Sequence, residues 1–288
     1  MTVVVLPGVP GLGGLYVRGA ASSGRLALSR RRGRAPAELP AVEYVVRGVQ
    51  ASADHLTAYQ HLLGESASDA LPAGFVHVLA FPVATALMAR SDFPLPVAGL
   101  IHLSNHVTQT RPVTLVDRLD LHASATNLRG HRTGTQVDLV TTVSVDDEIV
   151  WRGVSTYLAR GLFLAGDAAD ERTSFEPPTP TGRWVLAADT GRRYAAVSGD
   201  RNPIHVSSLA ARAFGFPRAI AHGLYTASRA LAAVGAARGD AFDWSVTFLR
   251  PVLLPSTVDV RIAPSDVGFS FAAWSSAPHL TGSVTPHA

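Results

Sequence analysis

The chain reads as an α+β protein built from two similar halves, and three observations carry that reading. Each half passes from a strand through a short and a long helix into a run of strands, the order that suits helices segregated against an antiparallel sheet. Landmarks recur in the same order: Tyr59 to Gly64-Glu65 with Tyr194 to Gly199-Asp200, Phe75-Val76-His77-Val78-Leu79 with Ile220-Ala221-His222-Gly223-Leu224, and Arg111-Pro112-Val113 with Arg250-Pro251-Val252. Third, Val137, Leu139, Thr141, Val143 and Val145 alternate with polar residues, the period of a half-buried strand.

In chain order, residues 1–40 are rich in Gly, Ala and Arg, show no strong period and are left unassigned as a basic N-terminal segment. The first half spans 41–165. A strand from Val42 leads through Ser52-Ala53-Asp54 into a helix from His55 to Leu63, with Asp54 as candidate cap. A second helix covers 71–90 and must start near Pro82 or kink there. Leu100 to Arg160 reads as strands, with Asp146-Asp147 as a hairpin turn before Ile149 and Trp151. A linker, 166–182, ends in the stiff Pro177-Pro178-Thr179-Pro180 stretch. The second half, 183–288, adds a short helix within 206–216, capped by Ser207 or Ser208 and ended by Gly215. Its long helix opens at Gly223, carries Leu224, Ala227, Leu231 and Val234 on one face, and has Gly239 as a stop.

Composition narrows the function. With 47% hydrophobic and 16% charged residues over 288 positions, the chain suits a globular protein with a sizeable core. No apolar run reaches membrane-spanning length. Val3-Val4-Val5-Leu6 lacks a preceding basic region, so a secretory signal is not expected and the reading is cytoplasmic. The absence of cysteine excludes disulfides, thiolate zinc and a Cys nucleophile. All 25 basic residues are arginine, which excludes a Schiff-base lysine and a P-loop. Six arginines fall within 18–34, including Arg30-Arg31-Arg32. That segment is either a solvated arm or a surface for an acidic carrier protein or nucleotide phosphate; nucleic acid is a poor third.

The chemistry concentrates in Ser198-Gly199-Asp200-Arg201-Asn202-Pro203-Ile204-His205, followed by Ile220-Ala221-His222-Gly223. Gly199 permits a left-handed turn before Asp200, and Asn202-Pro203 keeps Asn202 out of the helical region. Asp200 and His205 should therefore share an irregular loop and face one space, where a carboxylate and an imidazole can polarise a water and exchange its proton. Asn202 suits orientation rather than proton transfer, since an amide does not titrate near neutrality. His222 either ties down the loop or touches substrate, and Ser198 and Tyr194 read as structural. Gly223, opening a helix, can offer a free backbone N–H to a developing oxyanion. His55, His61, His102, His106 and His122 read as surface or groove residues.

This motif resembles the signature of the (R)-specific enoyl-CoA hydratases, or MaoC-like dehydratases, and the resemblance covers about 183–255. It implies the hot-dog fold, a long helix wrapped by antiparallel sheet, and here a double hot dog, as one monomer or a homodimer. It further implies a hydro-lyase of fatty-acid metabolism that hydrates trans-2-enoyl thioesters to (R)-3-hydroxyacyl thioesters and reverses that reaction, on CoA or acyl carrier protein, without cofactor or metal. Asp200, His205 and Gly223 take the catalytic roles, with Asn202, His222 and Ser198 orienting. The first half is degenerate: Glu65 stands at the Asp200 position, but no Asn-Pro-x-His follows and Val78 stands where Gly223 is. Its shorter loop should uncover an apolar wall of Val76, Val78, Leu79 and Phe81 for the acyl chain. Rival readings are a metal hydrolase using Asp200, His205 and His222, a hot-dog thioesterase, which would release free acid, and a non-catalytic acyl-thioester binding protein, which would bind without turnover.

Overall fold

The computed structural model describes residues 1–31, 36–97, 99–164 and 175–287, and the side chains of residues 20, 21, 25, 27 and 29–31 are outside it. One eleven-stranded sheet runs through the molecule; with strands numbered in chain order from β1 (Thr2–Val5) to β11 (Pro278–Pro286), the order across it is β1-β2-β4-β5-β6-β3-β8-β11-β10-β9-β7. The first half supplies β2 (Val42–Val49), β3 (Ile101–Gln109), β4 (Leu119–His131), β5 (Gly134–Val145) and β6 (Glu148–Arg160). The second supplies β7 (Gly182–Leu186), β8 (Phe242–Phe248), β9 (Ser256–Ser265), β10 (Gly268–Trp274) and β11 (Pro278–Pro286). The two five-strand orders are the same, and antiparallel pairing of β3 with β8, from Ser104↔Thr247 to Gln109↔Phe242, joins them. This is the double hot dog. Among the described residues, no helix is long and apolar enough to cross a membrane.

Each half wraps its strands around a long helix. In the first, α2 (Ala53–Leu63) precedes α3 (Ala73–Met88). Nearly every α3 side chain is buried, as its unbroken apolar sequence requires of a helix enclosed on all sides. The helix neither starts at Pro82 nor stops there; it begins nine residues earlier, behind Pro72. The cap of α2 is Ser52 rather than Asp54, which lies inside the first turn; Ser52 Oγ accepts from His55 N at 3.5 Å. In the second half, α4 (Thr190–Ser198), the one-turn α5 (Pro203–Val206) and α6 (Ser208–Ala213) lead to α7 (Gly223–Val234). The predicted face of α7 is buried, but the helix ends at Val234; a 3-10 turn, Gly235–Arg238, continues to Gly239. Ser207 caps α6 by accepting from Ala210 N at 3.2 Å, while Ser208 Oγ accepts instead from Ala219 N. Asp146 and Asp147 form the two-residue turn between β5 and β6, both at positive φ (50° and 66°), which aspartate tolerates better than most residues.

The repeat holds at two of its three landmarks and slips at the third. Gly64 and Gly199 are matching left-handed caps of α2 and α4. Leu71 N donates to Val113 O at 2.7 Å and Ala221 N to Val252 O at 2.8 Å, and the isolated bridges Ala70↔Thr114 and Ile220↔Leu253 match. Pro72 and Ala73 therefore stand where His222 and Gly223 do. Pairing His77 with His222 and Val78 with Gly223 is five residues out of register, because a shared imidazole in an apolar run carries no register of its own. The loop of the first half is correspondingly shorter: 65 to 72, against 200 to 222.

The N-terminal segment is structured. β1 (Thr2–Val5) adds to β2 in parallel, and α1 (Leu12–Arg31) packs on α3. Arg32 and Arg34 lie outside the described residues, as do the side chains of Arg25, Arg30 and Arg31, so the arginine cluster is described only at exposed Arg18. The linker 166–182 also falls largely outside them; 175–181 are irregular, and Gly182 already begins β7.

Glu65 illustrates how the halves are tied. Its carboxylate accepts from Arg238 Nη2, beyond α7, at 3.0 Å, in a largely buried ion pair. Glu65→Gln should change turnover less than about threefold, the size of a small perturbation remote from transition-state contacts. It should lower unfolding free energy by about 1–3 kcal/mol, because a buried charged hydrogen bond is weakened. Denaturant titration and turnover of one preparation check both; a rate loss as large as that of an Asp200 variant would place Glu65 in the catalytic chemistry.

Candidate active site

Asp200 is placed by the left-handed Gly199 cap of α4 (φ 72°) and by Ser198, whose Oγ accepts from Asp200 N at 3.2 Å. Asn202 is extended, as its following proline requires, and its Oδ1 accepts from Ile204 N, capping α5 with Pro203 at the first turn. His205 thus sits on a helical turn rather than on the expected irregular loop. That turn aims its ring back toward Asp200.

Hydrogen bonding sets both imidazole tautomers, because a carbonyl only accepts. His205 Nδ1–H donates to Ile220 O at 2.9 Å, leaving the Nε2 lone pair available. His222 Nε2–H donates to the Asp200 backbone carbonyl at 3.0 Å, and its Nδ1 is buried without a partner among the described residues. His222 therefore ties the loop to the start of α7, and its ring stacks on His205 at 3.8 Å between centroids. Asp200 Oδ1 accepts from Asn202 N at 3.0 Å and from the Tyr16 hydroxyl. Its Oδ2 lies 3.7 Å from His222 Nε2, outside hydrogen-bond range.

The charge state follows from burial and neighbours. Burial drives His222 down to about 3, helped by His205. Burial likewise lowers His205, against the opposing pull of Asp200 and the Ile220 carbonyl. Burial works to raise Asp200, but His222, His205, Tyr16 and the Asn202 N–H outweigh it and hold the carboxyl below its usual range. At neutral pH the site pairs a carboxylate with a neutral imidazole.

One ligand atom from each of Asp200, His205 and His222 lies within 4.8 Å of the others, close enough for one small group to bridge. As a metal site the trio would need all three protein ligands, and His222 could join Asp200 Oδ2 and His205 Nε2 only through its buried Nδ1, because its Nε2 carries the proton it gives to Asp200 O. The arrangement suits proton exchange better than metal binding.

These groups open onto a cavity of about 1080 Å³ that crosses both halves. Asp200, Asn202, His205, His222, Gly223 and Ser198 all line it. Gly223 is the first residue of α7, so its N–H has no partner within the helix, and its Cα abuts the Phe248 ring. Of the expected apolar wall, Val78 and Phe81 line the cavity and Val76 and Leu79 do not. Val76 is wholly buried in the core and Leu79 packs against it. The lining stripe runs instead through Val78, Phe81, Thr85 and Met88, one face of α3, and reaches Val97 and Leu100. The register slip explains the miss. Of the five scattered histidines, His102 alone lines the cavity, stacked on Tyr157 at 4.5 Å.

Residues 166–272 match the MaoC like domain. The 3-hydroxyacyl-thioester dehydratase X of Mycobacterium tuberculosis is 38% identical over 254 residues, covering 86% of this chain and 90% of that protein. The chain belongs to the MaoC-like dehydratase family. The crystal structure of HtdX from Mycobacterium tuberculosis superposes with a TM-score of 0.77 at 36% identity, over 85% of this chain and 100% of that one. A double hot-dog protein of the same organism gives 0.52 at 14% identity, over 82% of this chain and 93% of that one, and so shares the fold alone.

The family motif does not contain Tyr16. It lies in a segment without period, 184 positions from its partner, and only the fold brings α1 over the site. His77 and Tyr157 also enter the cavity unannounced.

Proposed function

We propose that this chain is a hydro-lyase that interconverts trans-2-enoyl and (R)-3-hydroxyacyl thioesters, carried by CoA or acyl carrier protein, in fatty-acid metabolism. One observation carries the reading: a carboxylate oxygen and the free nitrogen of a neutral imidazole face the cavity that Gly223 enters at the start of α7. In hydration, water held between Asp200 Oδ2 and His205 Nε2 gives up a proton as its oxygen attacks the β-carbon. The thioester oxygen takes the enolate charge, stabilised by Gly223 N–H and the α7 dipole. The pair then returns the proton to the α-carbon, on the face from which water came, and dehydration retraces these steps. The two groups titrate as one unit, so the base is the pair rather than either member. Asn202, Ser198 and His222 hold this geometry. The second half, 183–288, is the catalytic hot dog, and the first, 41–165, is the degenerate one, with Pro72 and Ala73 in place of His222 and Gly223.

Exposed Arg132, Arg160, Arg218 and Arg250 line the cavity where it meets solvent, which suits the phosphates of a CoA or phosphopantetheine carrier. A cytoplasmic location fits both carriers. Turnover of crotonyl to long-chain enoyl thioesters on CoA and on acyl carrier protein, with product analysis, tests the reading. Free acid would make the chain a thioesterase, and binding without turnover a carrier of acyl thioesters.

The α3 stripe sets a chain-length preference. Each methylene buried against Val78, Phe81, Thr85 and Met88 adds up to about 0.8 kcal/mol, roughly fourfold in binding. Enoyl thioesters of about eight to twelve carbons should therefore exceed crotonyl thioester in kcat/KM by up to about 10²-fold. Val78→Phe should compress that ratio while sparing crotonyl turnover. Crotonyl thioester as the best substrate of the unaltered enzyme would contradict this account of the wall.

A further inference from the structure

The geometry points to Tyr16, carried over the site by α1, as the positioning residue that decides which oxygen of Asp200 faces the substrate. This rests on the reading of Asp200 as one of the catalytic pair. Three residues seat the helix. Leu12 is buried against Gly199, where an added Cβ would stand 2.8 Å from Leu12 Cδ1; Leu15 is only 1% exposed; and a Cβ on Gly19 would stand 3.2 Å from Val97 Cβ. Between the first and last of these, the Tyr16 hydroxyl reaches Asp200 Oδ1 and itself lines the cavity. An N-terminal helix thus completes a site whose other parts lie more than 180 positions away.

The consequence is chemical. Oδ1 receives two donors, Tyr16 O–H and Asn202 N–H, while Oδ2 is left to the cavity. A carboxylate with one oxygen so held cannot exchange its oxygens by rotation, and the free one keeps a fixed aim at the space shared with His205. Burial, and then the charge of Asp200, push the Tyr16 hydroxyl above its ordinary value, so it stays a donor throughout the working range.

The hydrogen bond also favours the ionised carboxylate. Removing it makes the pair more basic, so the acid limb of the rate profile moves to higher pH. Other titratable groups face Asp200 from the neighbouring elements, and each either stays protonated or changes charge only at about pH 4 and below. His77 on α3 and His102 on β3 are pushed by burial to about 4 and about 3. His222 ahead of α7 is at about 3, also chiefly through burial. Tyr157 on β6 and Tyr194 on α4 are raised by burial and stay protonated. Above about pH 4 the acid limb therefore belongs to Asp200 and His205.

The experiment compares Tyr16→Phe, Tyr16→Ala and Asp200→Asn in the full chain, reading kcat, KM and the pH profile on trans-2-decenoyl-CoA, with thermal midpoints as a folding control. Tyr16→Phe should fold normally, keep KM, lower kcat roughly tenfold to a hundredfold, as for one lost bond to a charged group, and raise the acid limb. Tyr16→Ala should match it in kcat and in acid limb. If Tyr16→Phe restores wild-type kcat and acid limb while Tyr16→Ala does not, the ring merely packs and the inference is overturned. An inactive Asp200→Asn beside a fully active Tyr16→Phe overturns this inference alone; a fully active Asp200→Asn overturns the reading beneath it.

Discussion

Asp200→Asn and His205→Ala should each lower turnover by about 10²–10⁴, the span of a lost general acid or base. Asp200→Asn is the cleaner test. An asparagine oxygen can still accept from Asn202 N and Tyr16, so the loop keeps its shape while the charge that receives the proton is gone. His205→Ala removes more, the bond to Ile220 O and the stack on His222, and should also lose about 1–3 kcal/mol of stability. Turnover is therefore to be normalised to folded protein. In the unaltered enzyme the active state is carboxylate plus neutral imidazole, so kcat/KM should fall toward acid as the pair gains a proton. Because burial lowers His205 and its neighbours lower Asp200, that fall should lie below the range of an ordinary histidine. More than about a tenth of wild-type turnover in either variant would remove the assignment, being far above the residual rate of an enzyme without its base.

The parts of this site that were legible in the sequence are the local ones. Gly199, Asn202-Pro203 and His205 act within a few bonds of Asp200, and their backbone preferences dictate a turn, a cap and a helix start whatever surrounds them. The repeat was legible for the same reason, through the paired glycine caps and the Arg-Pro-Val bridges. What escaped depended on contacts across the fold. The start of α3 had no local marker strong enough to fix its register, so the expected wall of Val76, Val78, Leu79 and Phe81 holds at Val78 and Phe81 but wrongly includes Val76, which is in the core, and Leu79, which packs against it. Tyr16 escaped because α1 has no clean amphipathic period: it is a roof held by Leu12, Leu15 and Gly19 at spacings its own sequence does not advertise.

Gly223→Pro should lower kcat/KM by about 10²–10³ relative to Gly223→Ala, the loss expected for one oxyanion donor. The comparison isolates the N–H. Both variants add a Cβ that meets Phe248 ring carbons at 3.0 Å, a contact a side-chain ring can relieve by shifting slightly, and the shift is common to both. Only proline also removes the backbone N–H. The backbone accepts it: the first position of a helix is where proline is favoured, and His222, at φ −64° and ψ 135°, is already in the extended region that a residue before proline prefers. The first bond of α7, from Thr226 N to His222 O, does not involve the lost donor. Ala73 stands at the matching position of α3, so this type of helix start also tolerates a Cβ in the first half. Circular dichroism and thermal midpoints should be alike in the two variants, leaving the rate difference to the missing donor. Equal kcat/KM in both would mean that the thioester oxygen is stabilised elsewhere in the cavity, and Gly223 would then be a residue of close packing against Phe248.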